Sequence, residues 1–287
     1  MKSILHYFSL VKFSHTIFAM PFAVLGYFLG VQHTGESPDW QIFLYVLLCM
    51  IFARNAAMGF NRWADRNIDA ANERTAVREI PAGKVSAYSA LLFVIANAGL
   101  FIAATYMINP LCFYLSPVAL FTVLVYSFTK RFTALCHFVL GLGLSLAPIG
   151  AYIAVTGSFA LLPLLFSGIV LLWTGGFDIL YSLQDEDFDR DNMLHSMPSL
   201  LGRRRALLLS SAVHIIVAVA VATAGLVGHF HPLYWAGAVI FIGLLIYQHM
   251  LVTPDDISRV NLAFGTTNGI ASFIYCSISV FAILLYS

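Results

Sequence analysis

Nine stretches of about 20 mostly apolar residues recur along the chain, near 13–31, 40–60, 86–107, 110–128, 134–155, 161–182, 206–227, 232–250 and 263–285. Each is long enough for a helix to cross a hydrocarbon layer roughly 30 Å thick. Hydrophobic residues make up 60% of the 287, charged residues only 10%, and the mean hydropathy is +0.85, which excludes an ordinary soluble domain. Lipid cannot satisfy a bare backbone, and these stretches are too long and too uniform for the alternating strands of a membrane barrel. The expected fold is therefore an all-α integral membrane bundle of nine helices, one domain over residues 1–287. No cleavable signal is expected, because Pro21 interrupts the first stretch and no small-residue cleavage pattern follows it. Cys49, Cys112, Cys136 and Cys276 all fall inside apolar stretches, without paired spacing, and read as small core residues.

The basic residues sort onto alternate connections. Lys2 and Lys12 precede the first stretch; Arg62, Arg66, Arg74, Arg78 and Lys84 follow the second; Lys130 and Arg131 follow the fourth. Arg190, Arg203, Arg204 and Arg205 follow the sixth, and Arg259 the eighth. The connections near 32–39, 108–109, 156–160 and 228–231 contain neither Lys nor Arg. This bias predicts a cytoplasmic N-terminus and cytoplasmic polar caps, about 61–85 and 183–205; the short loops and the lack of a presequence favour a bacterial inner membrane. No nucleic-acid partner is expected.

Orientation does not explain the acids, which contribute little to it. Ten of the 14 lie in or beside two of these caps: Asp65, Asp69, Glu73 and Glu79 in one, Asp178, Asp185, Glu186, Asp187, Asp189 and Asp191 in the other. The segments "GFNRWADRNID" and "GFDILYSLQDEDFD" each carry Gly-Phe, a polar residue and then Asp-x3-Asp. Pro81 and Gly83 follow the first, Pro198 and Gly202 the second. Equivalent polar ends four stretches apart suggest two four-helix repeats plus one helix, sharing a site.

On a continuous helix, Asn61, Asp65 and Asp69 drift only about 40° per step and form a ridge about 12 Å long. Asp185 and Asp189 would form a second. Facing carboxylates repel one another unless a cation sits between them. All-oxygen ligands favour Mg²⁺, with Mn²⁺ as an alternative, and Mg²⁺ prefers a few carboxylates plus phosphate oxygens and water. A diphosphate guest follows, with Arg66, Arg74, Arg78, Lys130, Arg131 and Arg190 as candidate grips on its oxygens.

These residues resemble a family, the UbiA-type intramembrane aromatic prenyltransferases. Its first signature matches Asn61, Asp65, Asp69, Arg74-Thr75, Arg78, Pro81 and Gly83; its second matches Tyr181, Asp185 and Asp189; Tyr126 to Arg131 match the element between them. The segments "RTAVREIPAG" and "QDEDFDRDNMLHSMPSLLG" look most like the branch related to 4-hydroxybenzoate polyprenyltransferases. That branch includes futalosine-route menaquinone relatives, whose acceptor is a dihydroxynaphthoate. The resemblance implies a bundle around a central cavity open sideways to lipid. It also implies Mg²⁺-dependent transfer of a polyprenyl group from an allylic diphosphate to an aromatic ring.

On that reading Asp65, Asp69, Asp185 and Asp189 hold the metal, with Asn61 adding a neutral oxygen. Lys130 stabilises the departing diphosphate, assisted by Arg66, Arg78 or Arg131. Tyr126, Phe177 or Tyr181 offers an aromatic face to an allylic cation. Arg54 and Asp178, each seven residues before its motif, sit about 10 Å deeper on the same helix face. Charges at that depth are costly and usually functional. One reading has Arg54 binding the acceptor carboxylate while Asp178 orients or deprotonates its hydroxyl, and the resemblance also implicates the Asp178 position in acceptor activation. The other has them neutralising each other or a neighbour. Lys12 and His15 are candidates for substrate contact or interfacial anchoring, and His195 for closing over the diphosphate. His137, His214 and His249 read as satisfied bundle histidines, and Asp255-Asp256 as a solvated turn. A transporter would also collect charges at helix ends, but here they gather at one membrane face.

Overall fold

The structure, a computed structural model, describes residues 7, 9–11 and 18–285, and every regular element among them is helical. In chain order these are α1 (Met20–Thr34), α2 (Trp40–Ala64), α3 (Arg66–Ala71), α4 (Ala87–Tyr106), α5 (Pro110–Thr129) and α6 (Cys136–Thr156). Then come α7 (Leu161–Ser182), a 3₁₀ turn (Leu183–Asp185), α8 (Glu186–Asp191), α9 (Met197–Leu201), α10 (Arg203–Val227) and α11 (Pro232–Met250). A π-helical turn (Leu262–Thr267) leads into α12 (Asn268–Leu284).

Eight of these helical stretches are long and apolar enough to cross a membrane. Their outward faces are apolar as well: along α10, Leu208, Ile215, Ile216, Val219 and Leu226 are all exposed. A soluble protein would not present such a surface, so the chain is an integral membrane protein. The 15-residue α1 overlaps the later part of the first expected stretch and runs three residues past it, to Thr34. Part of that stretch, with Lys12 and His15, lies outside the described residues, as does Lys2.

The bundle is solid on one side and hollow on the other. Helix α6 runs between α1 and α7 at distances only glycine permits. A Cβ at Gly26 would lie 2.1 Å from the Pro148 carbonyl oxygen, and one at Gly141 2.2 Å from that of Leu171. Such small-residue contacts let membrane helices gain packing where no water-driven force acts between them. Phe22, Trp173, Phe241 and Tyr275, from α1, α7, α11 and α12, are fully buried in one cluster. Helix α7 accordingly buries 13 of its 22 residues. Helix α2 buries only Val46, Ala56, Gly59 and Arg62 of its 25, because its inner face borders a cavity.

The last apolar stretch departs from the expected uniform helix. Its first turn is π-helical, and Asn268 Nδ2 donates to the carbonyls of Ala263 at 2.9 Å and Phe264 at 3.0 Å. Asn268 Oδ1 accepts from Trp173 Nε1 at 2.9 Å. This buried amide therefore satisfies groups that a membrane interior would otherwise leave costly. The wide turn presents Phe264 to Tyr181, with ring centroids 4.1 Å apart.

Candidate active site

The two aspartate segments are not the straight ridges that their spacing suggests. Helix α2 ends at Asp65, whose φ of −93° and ψ of 7° interrupt the helix before α3 carries Asp69. Asp185 repeats the device: φ −109° and ψ 8°, between the 3₁₀ turn and α8, which carries Asp189. Each break falls on the first aspartate of its Asp-x3-Asp pair, which becomes the N-cap of the short helix that carries the second. Asp69 N–H still bonds the Asp65 carbonyl at 2.7 Å, one turn along.

Each of the four carboxylates has a basic partner. Asp65 Oδ1 accepts from Arg131 Nη2 at 3.1 Å, Asp69 Oδ1 from Arg78 Nη1 at 2.6 Å, and Lys130 Nζ lies 2.7 Å from Asp189 Oδ1. Asp185 receives a fork from Arg74: Nη2 bonds Oδ2, and Nε donates to Oδ1 at 2.9 Å. Asn72 Nδ2 also donates to Asp185 Oδ1 at 3.1 Å, and Arg74 Nη1 to the Tyr181 hydroxyl at 3.2 Å. The segment after the first motif thus grips the second directly. Burial drags the Arg74 guanidinium down, but its bonds and attraction to Asp185 more than compensate and leave it above its ordinary value. Burial likewise raises the Asp65 carboxyl, with Arg131 opposing.

Asn61, Asp65, Asp69, Asn72, Arg74, Arg78, Tyr126, Lys130, Arg131, Tyr181 and Asp185 all line one cavity of about 270 Å³. Arg54 and Asp178 line its deeper wall together with Phe177, Thr174 and Phe264. A second, apolar cavity of about 320 Å³ continues from it, and the two share Arg54, Met58, Tyr126, Leu140 and Leu144 as wall. The apolar one descends between α2, α5 and α6 past Cys49, Cys112 and Ala147 to Phe159, at the far end of α6.

Several sequence-derived positions fall elsewhere. Asp189 is wholly buried and does not line the cavity; it reaches the site through Lys130, which does. Arg66 does not line it either: its guanidinium lies over the Trp63 ring and donates to the Trp63 carbonyl at 2.7 Å. Arg190 bonds Glu186 and pairs with Asp187. His195 is exposed outside the cavity, and only its backbone N–H bonds Lys130. Asp178 pairs with a neighbour, His137 Nδ1, at 2.7 Å. His137 is therefore part of the cavity wall, not simply a bundle histidine; His214 and His249 do satisfy each other, at 2.8 Å. All four cysteines are free thiols.

The spacing analysis missed Asn72, His137, buried Arg62 and Thr75, whose hydroxyl donates to the Asp69 carbonyl at 3.0 Å. Only the Arg-Thr pair gave a signal for any of them.

Among the described residues no three His, Cys, Asp or Glu side chains form a closed metal cage. Asp69 Oδ2 is nonetheless buried without a hydrogen-bond partner. An uncommitted carboxylate oxygen among all-oxygen donors fits a hard divalent cation that completes its shell with phosphate oxygens and water.

Known proteins of the same build exist. The 4-hydroxybenzoate octaprenyltransferase of Aliivibrio salmonicida is 32% identical over 243 residues, covering 84% of this chain and 85% of that one. Its namesake from Shewanella halifaxensis is 28% identical over 252 residues, covering 88% and 87%. The solved structure of a UbiA homolog from Aeropyrum pernix K1 superposes with a TM-score of 0.81 at 28% identity, covering 95% of this chain and 98% of that one. A UbiA homolog from Archaeoglobus fulgidus bound to DMAPP and Mg²⁺ has the same fold, with a TM-score of 0.75 at 20% identity over 98% and 99% of the two chains. Residues 19–277, from the start of α1 into α12, match the UbiA prenyltransferase family, and the chain belongs to that family.

Proposed function

We propose that the protein transfers a polyprenyl group from an allylic polyprenyl diphosphate to an aromatic acid, 4-hydroxybenzoate or a dihydroxynaphthoate, in quinone biosynthesis. The observation that carries the reading is the order of chemistry along one continuous space. Paired carboxylates and bases lie at its mouth, Arg54 and Asp178 below them, and an apolar channel beyond. A substrate with a diphosphate head and a long hydrocarbon tail matches that order. The relatives named 4-hydroxybenzoate octaprenyltransferase and the neighbour bound to DMAPP and Mg²⁺ support the same chemistry.

Asp65, Asp69 and Asp185, with Asn61 Oδ1, would hold Mg²⁺, and Mn²⁺ is a candidate substitute. Asn61 Nδ2 donates to Asp65 Oδ2 at 2.9 Å, which keeps its carbonyl oxygen available. Asp189 acts from behind by holding Lys130. Bound Mg²⁺ supplies charge neutralisation for a leaving diphosphate. Lys130, Arg78, Arg131 and Arg74 bind that diphosphate and stabilise it as the allylic C–O bond breaks and its oxygen keeps the electron pair. A carbon of the acceptor ring forms the new C–C bond, and a ring proton departs as aromaticity returns. Arg54 binds the acceptor carboxylate; Asp178 orients its hydroxyl and takes the proton, raising ring nucleophilicity. Tyr126 and Tyr181 offer their faces to the developing cation. The surrounding apolar wall keeps water from the cation.

We place α1 as the first of nine spans, with two repeats, α1–α5 and α6–α11, followed by α12. The matching backbone breaks at Asp65 and Asp185 support the repeat. The N-terminus and site face the cytoplasm of a bacterial inner membrane, following the basic residues.

Transfer of a labelled prenyl group to 4-hydroxybenzoate and to a dihydroxynaphthoate, with and without Mg²⁺, tests the function. A chain that moves these substrates across vesicles but never joins them would refute it in favour of a transporter. Arg54→Ala is expected to raise the acceptor KM about tenfold to a hundredfold with little change for the donor, as loss of a charged hydrogen-bond partner does. Equal effects on both substrates would remove the Arg54 assignment.

A further inference from the structure

We infer that His137 is the positioning residue of Asp178: a neutral imidazole that donates from Nδ1 and holds the carboxylate toward the acceptor. The inference rests on the acceptor role proposed above for Asp178. Its basis is the pair of partners on the ring. Nδ1 lies 2.7 Å from Asp178 Oδ2, and Nε2 lies 3.1 Å from the backbone nitrogen of Met197. A backbone N–H can only donate, so Nε2 must accept; the hydrogen of a neutral imidazole then sits on Nδ1 and points at Asp178. The second carboxylate oxygen stays uncommitted to His137.

The same assignment decides what His137 does not do. A relay would need to receive a proton on one nitrogen and release it from the other. Nε2 faces an amide hydrogen that does not exchange on a catalytic timescale, so a proton taken by Asp178 leaves through the cavity and not through the ring. His137 is 2% exposed, whereas the Asp178 side chain is 21% exposed toward the cavity it lines. The histidine is thus the fixed wall behind a reacting group, holding the carboxylate's orientation from behind with a hydrogen bond.

The strap carrying Met197 also reaches the diphosphate end of the site. Leu194 N–H bonds the Asp189 carbonyl at 2.8 Å, His195 N–H bonds the Lys130 carbonyl at 2.7 Å, and the Cys136 thiol donates to the His195 carbonyl at 3.4 Å. Residues 194–197 therefore tie Lys130, Asp189 and the His137–Asp178 pair into one unit. The strap thus anchors the backbone that carries Lys130 and Asp189 and the ring that holds Asp178.

The test uses the full-length protein in detergent or lipid discs, with geranyl diphosphate as donor and 4-hydroxybenzoate as acceptor. His137→Leu is expected to lower kcat/KM for the acceptor about tenfold to a hundredfold while the donor KM stays within about twofold. His137→Gln carries a donor and an acceptor at the end of its side chain and is expected to recover most of that loss. Asp178→Asn with His137→Leu is expected to be little worse than Asp178→Asn alone. Leu affecting both substrates equally, Gln behaving no better than Leu, or additive losses in the double variant would each overturn the inference. If Asp178→Asn alters acceptor kinetics and His137→Leu does not, the His137 role fails while the Asp178 role stands. An Asp178→Asn variant with unchanged acceptor kinetics refutes both.

Discussion

The apolar channel sets a limit on tail length that two glycines can move. Along α6 its wall runs from Leu140 to Ala154, 14 residues further along, or about 21 Å at 1.5 Å per residue. Gly143 and Gly150 both line it and lie two turns apart, about 10 Å. An added Cβ at Gly150 meets nothing within 4 Å, and one at Gly143 meets Val123 Cγ1 at 3.5 Å, an ordinary contact. Either position therefore accepts a side chain without displacing backbone, and the new group enters the channel. A prenyl tail gains little by leaving lipid for an equally apolar wall, so discrimination between tails here is a matter of fit. Forcing a tail past an intruding phenyl ring should cost about 1–3 kcal/mol, as overpacking does, or roughly 5-fold to 150-fold in relative kcat/KM. Gly150→Phe, two turns further from the reacting end, should therefore disfavour octaprenyl diphosphate against geranyl diphosphate by that factor; Gly143→Phe, near the reacting end, should slow transfer from both donors. Competition between the two donors, read as a product ratio by mass spectrometry, measures the effect directly. An unchanged ratio in Gly150→Phe, in a variant whose thermal unfolding is unaltered, would show that the tail does not lie in this channel.

Removal of Mg²⁺ by a chelator should abolish transfer, with recovery on adding Mg²⁺ back; transfer that persists in excess chelator would refute the metal assignment. Arg74→Lys keeps the charge but loses the fork to Asp185 and the bond to Tyr181, and should lower kcat/KM for the donor at least tenfold; wild-type kinetics would show that only charge matters there. Asn268→Leu strands Trp173 Nε1 and two main-chain carbonyls. It should destabilise the fold by about 1–3 kcal/mol and loosen Phe264 at the cavity wall, a loss readable by thermal unfolding.

The apolar stretches announced their own spans because hydropathy is local, and α7 occupies the stretch expected for it. The motif residues were legible for a related reason: Asp65, Asp69 and Asp185 are unusual where they stand, and cost marks them. What sequence spacing could not carry was backbone direction. A straight α-helix is the default reading of a four-residue interval, yet the helix is interrupted at Asp65 and Asp185, so each pair belongs to a short helix of its own and not to the span before it. Nor could spacing show that Asp189 packs against Lys130, outside the cavity that Asp185 lines. His137 was illegible for a different reason. A histidine in an apolar stretch looks alike whether it bonds a carbonyl or a carboxylate, and only the folded chain brings Asp178 within 2.7 Å.

The ion pairs show why the two motifs act as one site. If each half were self-contained, the bases around an aspartate would come from its own segment, as Arg78 does for Asp69. Two of the four pairs cross over instead. Arg74, from the segment after the first motif, holds Asp185 of the second, and Lys130, at the end of α5, holds Asp189. Arg131, the next residue after Lys130, turns back to Asp65. Adjacent bases at one helix end thus hold one aspartate from each motif. Moving either motif would break partners of the other, and an unpaired charge in so buried a place is far more costly than one in water. The two acidic segments therefore hold a common geometry through the bases between them, so replacing Lys130 should disturb both motifs, whereas replacing Arg78 should disturb mainly the first. Lys130→Met is expected to destabilise the fold and to weaken donor binding more than Arg78→Met does, and the reverse ranking would show that the motifs are held independently.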